Sequence, residues 1–283
     1  MPSANSILET LRLSSRNAEV RLDDFDRSCW PELFRLLALA ADLPRLATNR
    51  SLQGLDADAW PQLKEVTADL AHLHTLVDRP TVPEGVRTAP IYSTDDLAGA
   101  TAELEASHCV TVDCLFDDGG RRRLDEQIES LCQTKMGTWG QLDRAEAEDL
   151  FALFDDALAS DRFHQLTGYD SSRDTYTLTL SLQNLDATGI GWHRDLYWPK
   201  EWVGEDVFAV LYGLGDDAPA KGGAFLHYVP WRDELYASYR KRHQATILWN
   251  SRDDEGRLLH AVSGYHTADT SRHLIILQCL RRG

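Results

Sequence analysis

Two hydrophobic periods divide this chain. Before about residue 175, apolar positions recur every three to four residues; beyond it they recur every second residue. In 59–80, Trp60, Leu63, Val66, Leu70, Leu73 and Val77 step by three or four and make one helical face. A helix is also predicted over 29–44. Pro31 suits its first turn, where the missing N–H costs nothing, and Pro44 ends the run. Both stretches share Trp-Pro-x-Leu, at Trp30 and Trp60, a packing ring followed by a helix-starting proline. The segment 79–90, RPTVPEGVRTAP, holds three prolines and a glycine and reads as a linker. A helix at 95–107, an apolar strand at 108–116, a helix at 121–132 and a helical stretch at 144–160 follow.

From 176 the chain alternates. Tyr176, Leu178, Leu180 and Leu182 share one face of a strand; Thr177, Thr179, Ser181 and Gln183 share the other. Further strands are predicted at 206–214, 222–229, 244–250, 257–265 and 271–281, without crossover-length helices between all of them. Many short strands parted by turn signals point to an antiparallel sandwich or barrel. The polar face of 176–183 would line a wet interior, and its leucines would pack against the earlier helices. The expected class is α+β, with an N-terminal helical region at 1–88 and a second region at 89–283 whose strand core begins near 175.

Charge and cysteine usage narrow the function classes. The formal net charge is −16, and so acidic a chain repels phosphate backbones. Arg121, Arg122 and Arg123 are followed by Asp125 and Glu126 and read as a solvated helix start. No nucleic-acid partner is expected. The cysteines Cys29, Cys109, Cys114, Cys132 and Cys279 are odd in number with no CxxC spacing, which argues against a disulfide framework or a zinc knuckle. The N-terminal stretch lacks the apolar core of a signal peptide, and no run of about 18 apolar residues occurs. A reduced, cytoplasmic protein without membrane contact is expected.

The chemistry concentrates in GWHRDLYW, residues 191–198. His193 and Asp195 read as a surface ion pair, an acid/base pair, or two thirds of a metal site. On a strand, i and i+2 point the same way, so both reach one ion. A facial triad of two imidazoles and one carboxylate leaves open positions and suits Fe(II) and O2 chemistry. The third ligand then has to come from a facing strand. His260, in RLLHAVSGY, fits, and Arg272 opens the last strand twelve residues later, an anion partner by its bidentate fork. His227, in FLHYVP, competes as ligand or lines the substrate pocket. His108, His164 and His243 show no partner pattern, and His273 is expected to point away from the Arg272 side. Trp192, Trp198, Trp202 and Trp231 flank the motif as core packing, with Trp198 and Trp202 also candidates for a substrate wall.

The order HxD, Gly-Gly strand, distal His and final-strand Arg resembles the Fe(II)/2-oxoglutarate-dependent oxygenases, in particular their prolyl-4-hydroxylase-like branch. The segments VLYGL, GGAFLHYVP and LWNSRDDEGRLLHAV carry the likeness over 175–283, and it does not reach 1–80. The resemblance implies a double-stranded β-helix (jelly-roll, cupin-like) core, with Fe(II), 2-oxoglutarate as co-substrate and O2. It implies His193, Asp195 and His260 as iron ligands and Arg272 as the anchor of the co-substrate's remote carboxylate. Tyr212, Gln183, Ser181 and Thr179 would contribute to the same co-substrate site. The chain departs from the pattern in a longer His-to-Arg interval and in Leu274, where relatives carry a hydroxyl. The implied reaction is hydroxylation of an unactivated C–H bond, with release of succinate and CO2, on a small molecule such as an amino acid or natural-product intermediate. A protein side chain is the alternative substrate. A metal-binding scaffold without activity and a dioxygenase without co-acid are the rivals, and Arg272 argues against both. For the N-terminal helices three roles stand open: covering the barrel mouth, offering a homodimer interface, or docking a carrier.

Overall fold

The computed structural model describes residues 21–38, 80–135, 139–184, 189–195, 202, 205–217, 219–250, 258–264 and 271–282. Two 3-10 turns, Leu22–Asp24 and Arg27–Cys29, lead into helix α1 at 30–38. Trp30, Leu33, Phe34 and Leu37 are buried at helical spacing. They share a core with Trp192, Leu226, Tyr228 and Leu259, on one face of a five-stranded sheet. Phe34 stacks on Tyr228 with centroids 4.0 Å apart and meets Trp192 edge-on at 5.2 Å. The apolar face of α1 therefore covers the chain's own smaller sheet. The predicted helix over 59–80 lies outside the described residues except for Pro80.

The strands are β1 (Arg87–Thr88), β2 (Ile91–Tyr92), β3 (Cys109–Val112), β4 (Trp139–Gln141), β5 (Thr175–Asn184), β6 (Ile190–His193), β7 (Asp206–Gly213), β8 (Phe225–Val229), β9 (Glu234–Ser238), β10 (Ala245–Asn250), β11 (Leu259–Val262) and β12 (Ser271–Arg281). They form a five-stranded sheet, β1-β9-β8-β11-β6, and a seven-stranded sheet, β2-β3-β10-β7-β12-β5-β4. Apart from the short parallel pairs β1/β9 and β2/β3, neighbouring strands run antiparallel. Among the described residues no strand pair joins the two sheets. Part of the predicted linker is thus the edge strand β1, with Arg87 opposite Tyr236.

The sheets face each other through Ala209, Leu211 and Leu248 on the larger and Phe225, Val229 and Val262 on the smaller. The outer face of the larger sheet is covered by α2 (Leu97–Ser107), α3 (Asp118–Lys135), α4 (Glu148–Leu158) and α5 (Asp161–Thr167). Leu178 and Leu180 turn to those helices, as the alternation of β5 requires, while Thr179 and Ser181 sit buried on the opposite face. The helix ends follow local chemistry. Asp96 accepts from the Gly99 amide before α2, and Ser160 accepts from Phe163 before α5. Gly168 closes α5 in the left-handed region at φ 71°. The short elements α5, β4 and β9 escape the sequence reading, because three to seven residues hold too few periods to register.

Phe34→Ala should destabilise the chain by about 3–5 kcal/mol, the scale for emptying a buried aromatic site. Urea unfolding followed by far-UV circular dichroism measures it; a loss below about 1 kcal/mol would mean that α1 does not cover this sheet.

Candidate metal centre

The pairing of β6 with β11 sets His193 directly opposite His260. Their rings lie 4.3 Å apart. Each imidazole is oriented by the backbone two residues before it: His193 Nδ1 is 2.7 Å from the Gly191 carbonyl, and His260 Nδ1 is 3.1 Å from that of Leu258. A carbonyl only accepts, so Nδ1 donates in both rings and Nε2 presents its lone pair. Both Nε2 atoms converge on one carboxylate oxygen, Asp195 Oδ1, at 3.7 Å from His193 and 3.4 Å from His260.

In the neutral rings, with Nδ1 protonated, neither Nε2 has a proton to give Asp195. Three lone-pair donors then face one another within 4.8 Å. That is the donor set of a cation site rather than of a His–Asp ion pair, and the carbonyl contacts are the outer support that metal-bound histidines use. His260 is buried at 4% exposure while His193 and Asp195 are part-exposed, so the cluster is recessed yet reachable.

The row continues across the smaller sheet. His227 on β8 lies opposite His260, and Tyr236 on β9 lies opposite His227. His227 is buried, and its ring stacks on that of Tyr236 at 5.2 Å. Burial, and secondarily the neighbouring His260, push its pKa down to about 3, so it stays neutral at physiological pH. The structure therefore places His227 next to the cluster but outside it.

On the facing sheet, Arg272 pairs with Gln183, Leu274 with Ser181, and Ile276 with Thr179. Ile276 packs into the core between the sheets, so these register positions belong to the face turned toward the cluster. Tyr212 does not. It packs among Phe116 and Phe154 under the helices, with ring centroids 5.4 and 6.0 Å away. Its hydroxyl lies 2.9 Å from His243 Nδ1. Leu211, its neighbour, takes the inward position, so the structure does not bring Tyr212 to the face turned toward the cluster, where the resemblance had placed it.

Trp202 packs against Val207 and Leu280, Trp192 lies under α1, and Trp231 is half exposed with its indole N–H on the Ala106 carbonyl. Trp198 lies outside the described residues. His108 and His164 are structural: the first closes α2 in the left-handed region, and the second has Nδ1 2.8 Å from the Tyr169 carbonyl. A cavity of about 370 Å³ opens on the helical side of the larger sheet, lined by Val112, Phe116, Leu153 and Phe163, away from the cluster. One buried side chain that no motif marks, Arg240, enters the space between the sheets at 2% exposure.

No family model and no curated protein matches the sequence. Solved structures do match in fold. One is a 2OG-Fe(II) oxygenase family oxidoreductase from Burkholderia pseudomallei, 17% identical, with a TM-score of 0.50, covering 69% of this chain and 96% of that one. Another is a prolyl hydroxylase from Trichoplax adhaerens in complex with a hypoxia inducible factor oxygen degradation domain peptide, 14% identical, with a TM-score of 0.50, covering 66% and 90%. The chain shares the fold of these oxygenases.

Replacing His260 by Ala should weaken Co(II) binding beyond the roughly 10–100-fold typical of outer-shell changes, with the fold retained. Visible Co(II) absorption and calorimetry check this; wild-type affinity in the variant would remove His260 from the donor set.

Proposed function

We propose that this chain is an Fe(II)/2-oxoglutarate-dependent dioxygenase that hydroxylates an unactivated C–H bond. The observation that carries this reading is the convergence of two carbonyl-oriented Nε2 atoms on one carboxylate oxygen. The fold shared with 2OG-Fe(II) oxygenases supports it, and so does the core of two facing sheets, which we read as a double-stranded β-helix. Iron with 2-oxoglutarate and O2 supplies the C–H oxidation, with succinate and CO2 as by-products. In this reading His193 and His260 hold the metal through Nε2, and Asp195 holds it through its carboxylate. Arg272 holds the remote carboxylate of the co-substrate, and Gln183, Ser181 and Thr179 line that acid. The apolar walls around Phe225, Leu211 and Ile276 keep bulk water from the reacting end. Neutral His227 borders the cluster and offers a hydrogen bond to substrate without adding charge.

The substrate we favour is a small molecule, since an acidic chain with an aromatic-rich segment after the HxD suits one. The peptide held by the Trichoplax prolyl hydroxylase favours a second reading, hydroxylation of a protein side chain. No described helix is long and apolar enough to cross a membrane.

Fe(II) and 2-oxoglutarate added without oxygen should give the weak visible band of a metal–oxo-acid chelate, and oxygen should then release succinate. A chain that binds Fe(II) but shows neither overturns the reading. Arg272→Lys should weaken 2-oxoglutarate by about 1–3 kcal/mol, the scale of a charge-assisted hydrogen bond. An unmoved affinity in that titration places the anchor elsewhere.

Asp195 would supply the carboxylate ligand to the metal, in the place that a halide would need. The wild type should therefore incorporate one oxygen atom and no chloride even in excess salt, and Asp195→Gly should lose most hydroxylation. Chlorinated product from the unmodified chain, detected by mass spectrometry, is the outcome that sinks this role for Asp195.

A further inference from the structure

The helices α2, α3, α4 and α5 do not close over the larger sheet. Where they meet they leave the cavity of about 370 Å³ noted above, open to solvent on one side. Its walls are apolar: Leu97 of α2, Val112 of β3, Phe116, Leu153 of α4, and Phe163 and Leu166 of α5. Close-packed interiors leave few voids larger than a water molecule, so a space of this size is not a packing remainder. At about 30 Å³ for each water it has room for about a dozen non-hydrogen atoms, the lower end of the range for small-molecule sites.

Charges of both signs border the cavity, and most of the charges in this region are already engaged. Asp117 Oδ1 accepts from the Gly120 amide at the start of α3. Arg162 lies 3.6 Å from Asp95, Arg121 pairs with Asp118, and Arg144 pairs with Asp155. Arg123 on α3 and Asp156 on α4 are the exceptions. Both line the cavity and both are exposed. Among the described residues neither side chain has an ion-pair or hydrogen-bond partner, and they do not pair with each other. A guanidinium and a carboxylate at the border of one apolar space thus offer two opposite charges to whatever enters it.

We infer that this cavity is a second small-molecule site, which binds a free α-amino acid with a large apolar side chain. The side chain fills the apolar space, the α-carboxylate meets Arg123, and the α-ammonium meets Asp156. A simple apolar acid fits the charges less well, because Asp156 and Asp117 would then stand beside its carboxylate with no cation between them. A zwitterion answers both signs. Phenylalanine, with about a dozen non-hydrogen atoms, matches the space as well. The larger sheet separates this site from the metal cluster: Val110 and Val112 of β3 pack on the helical side, while Cys109 packs between the sheets. The inference therefore goes beyond the oxygenase reading and does not rest on it.

The test is calorimetric titration of the full chain with L-phenylalanine, without oxygen, both alone and loaded with Fe(II) and 2-oxoglutarate. One saturable site of the same affinity is expected in both states. L-Alanine lacks the apolar group, 3-phenylpropanoate lacks the ammonium, and 2-phenylethylamine lacks the carboxylate. Each should bind at least about fivefold more weakly, the scale of losing a partly exposed charge-assisted contact or the apolar contact. Arg123→Gln and Asp156→Asn change exposed side chains and so should leave the fold intact, and each should weaken L-phenylalanine about fivefold or more. No saturable binding to the wild type overturns the inference. So does binding that appears only in the loaded state, since the amino acid would then sit at the cluster. An analogue as tight as L-phenylalanine, or an affinity unmoved in either variant, overturns it as well. A chain that binds L-phenylalanine as expected but gives no iron–2-oxoglutarate chelate band loses the oxygenase reading and keeps this site.

Discussion

The antiparallel pairing of β6 with β11 is the constraint on which the site depends. It puts two imidazoles side by side, and Gly191 in β6 and Leu258 just before β11 supply the carbonyls to which the ring Nδ1 atoms turn. Without those two hydrogen bonds the rings could rotate or change tautomer, and Asp195 would meet N–H groups instead of lone pairs. The direction in which the ring lone pairs face is therefore set by main-chain geometry, and the side chains only have to be of the right type.

The layers around that pairing hold it from both faces. Trp192 precedes His193 and points the other way, into the core under α1, so the apolar contact with Phe34 fixes the plane of β6. On the opposite face, the row of His193, His260, His227 and Tyr236 meets the larger sheet, whose inward residues include Leu211, Leu248 and Ile276. The larger sheet is in turn buttressed by the helices through Phe208, Val210, Tyr212 and Ile275. The layers thus run helix, sheet, sheet, helices, with the polar cluster in the central gap.

Much of this is legible in the sequence where burial is one-sided. β5 shows its two faces because one carries leucines and the other hydroxyls, and the HxD motif with a distal histidine survives as a pattern of residue types. Legibility fails where both faces are buried. Every residue from Val207 to Gly213 is buried, so no alternation tells which side Tyr212 takes, and it turns to the helices instead of the face toward the cluster. Arg240 is hidden for the opposite reason. In SYRKRH it stands among basic residues that read as a solvated turn, and only the path of the backbone from one sheet to the other sends it inward. β9 is lost because five residues after a 3-10 turn carry too short a pattern.

Among the described residues β6 is the last strand of its sheet, with β11 as its partner on one side. A strand so placed is held by half the usual ladder and opens easily. An ion gripping His193, Asp195 and His260 is a cross-link between the edge and its neighbour, and it closes a loop of 67 positions along the chain. The unfolded chain does not hold those three side chains together, so an ion that binds them favours the folded state by mass action. The metal would thus act as a fastener as well as a reagent, and the chain's resistance to unfolding would rise and fall with the supply of the ion.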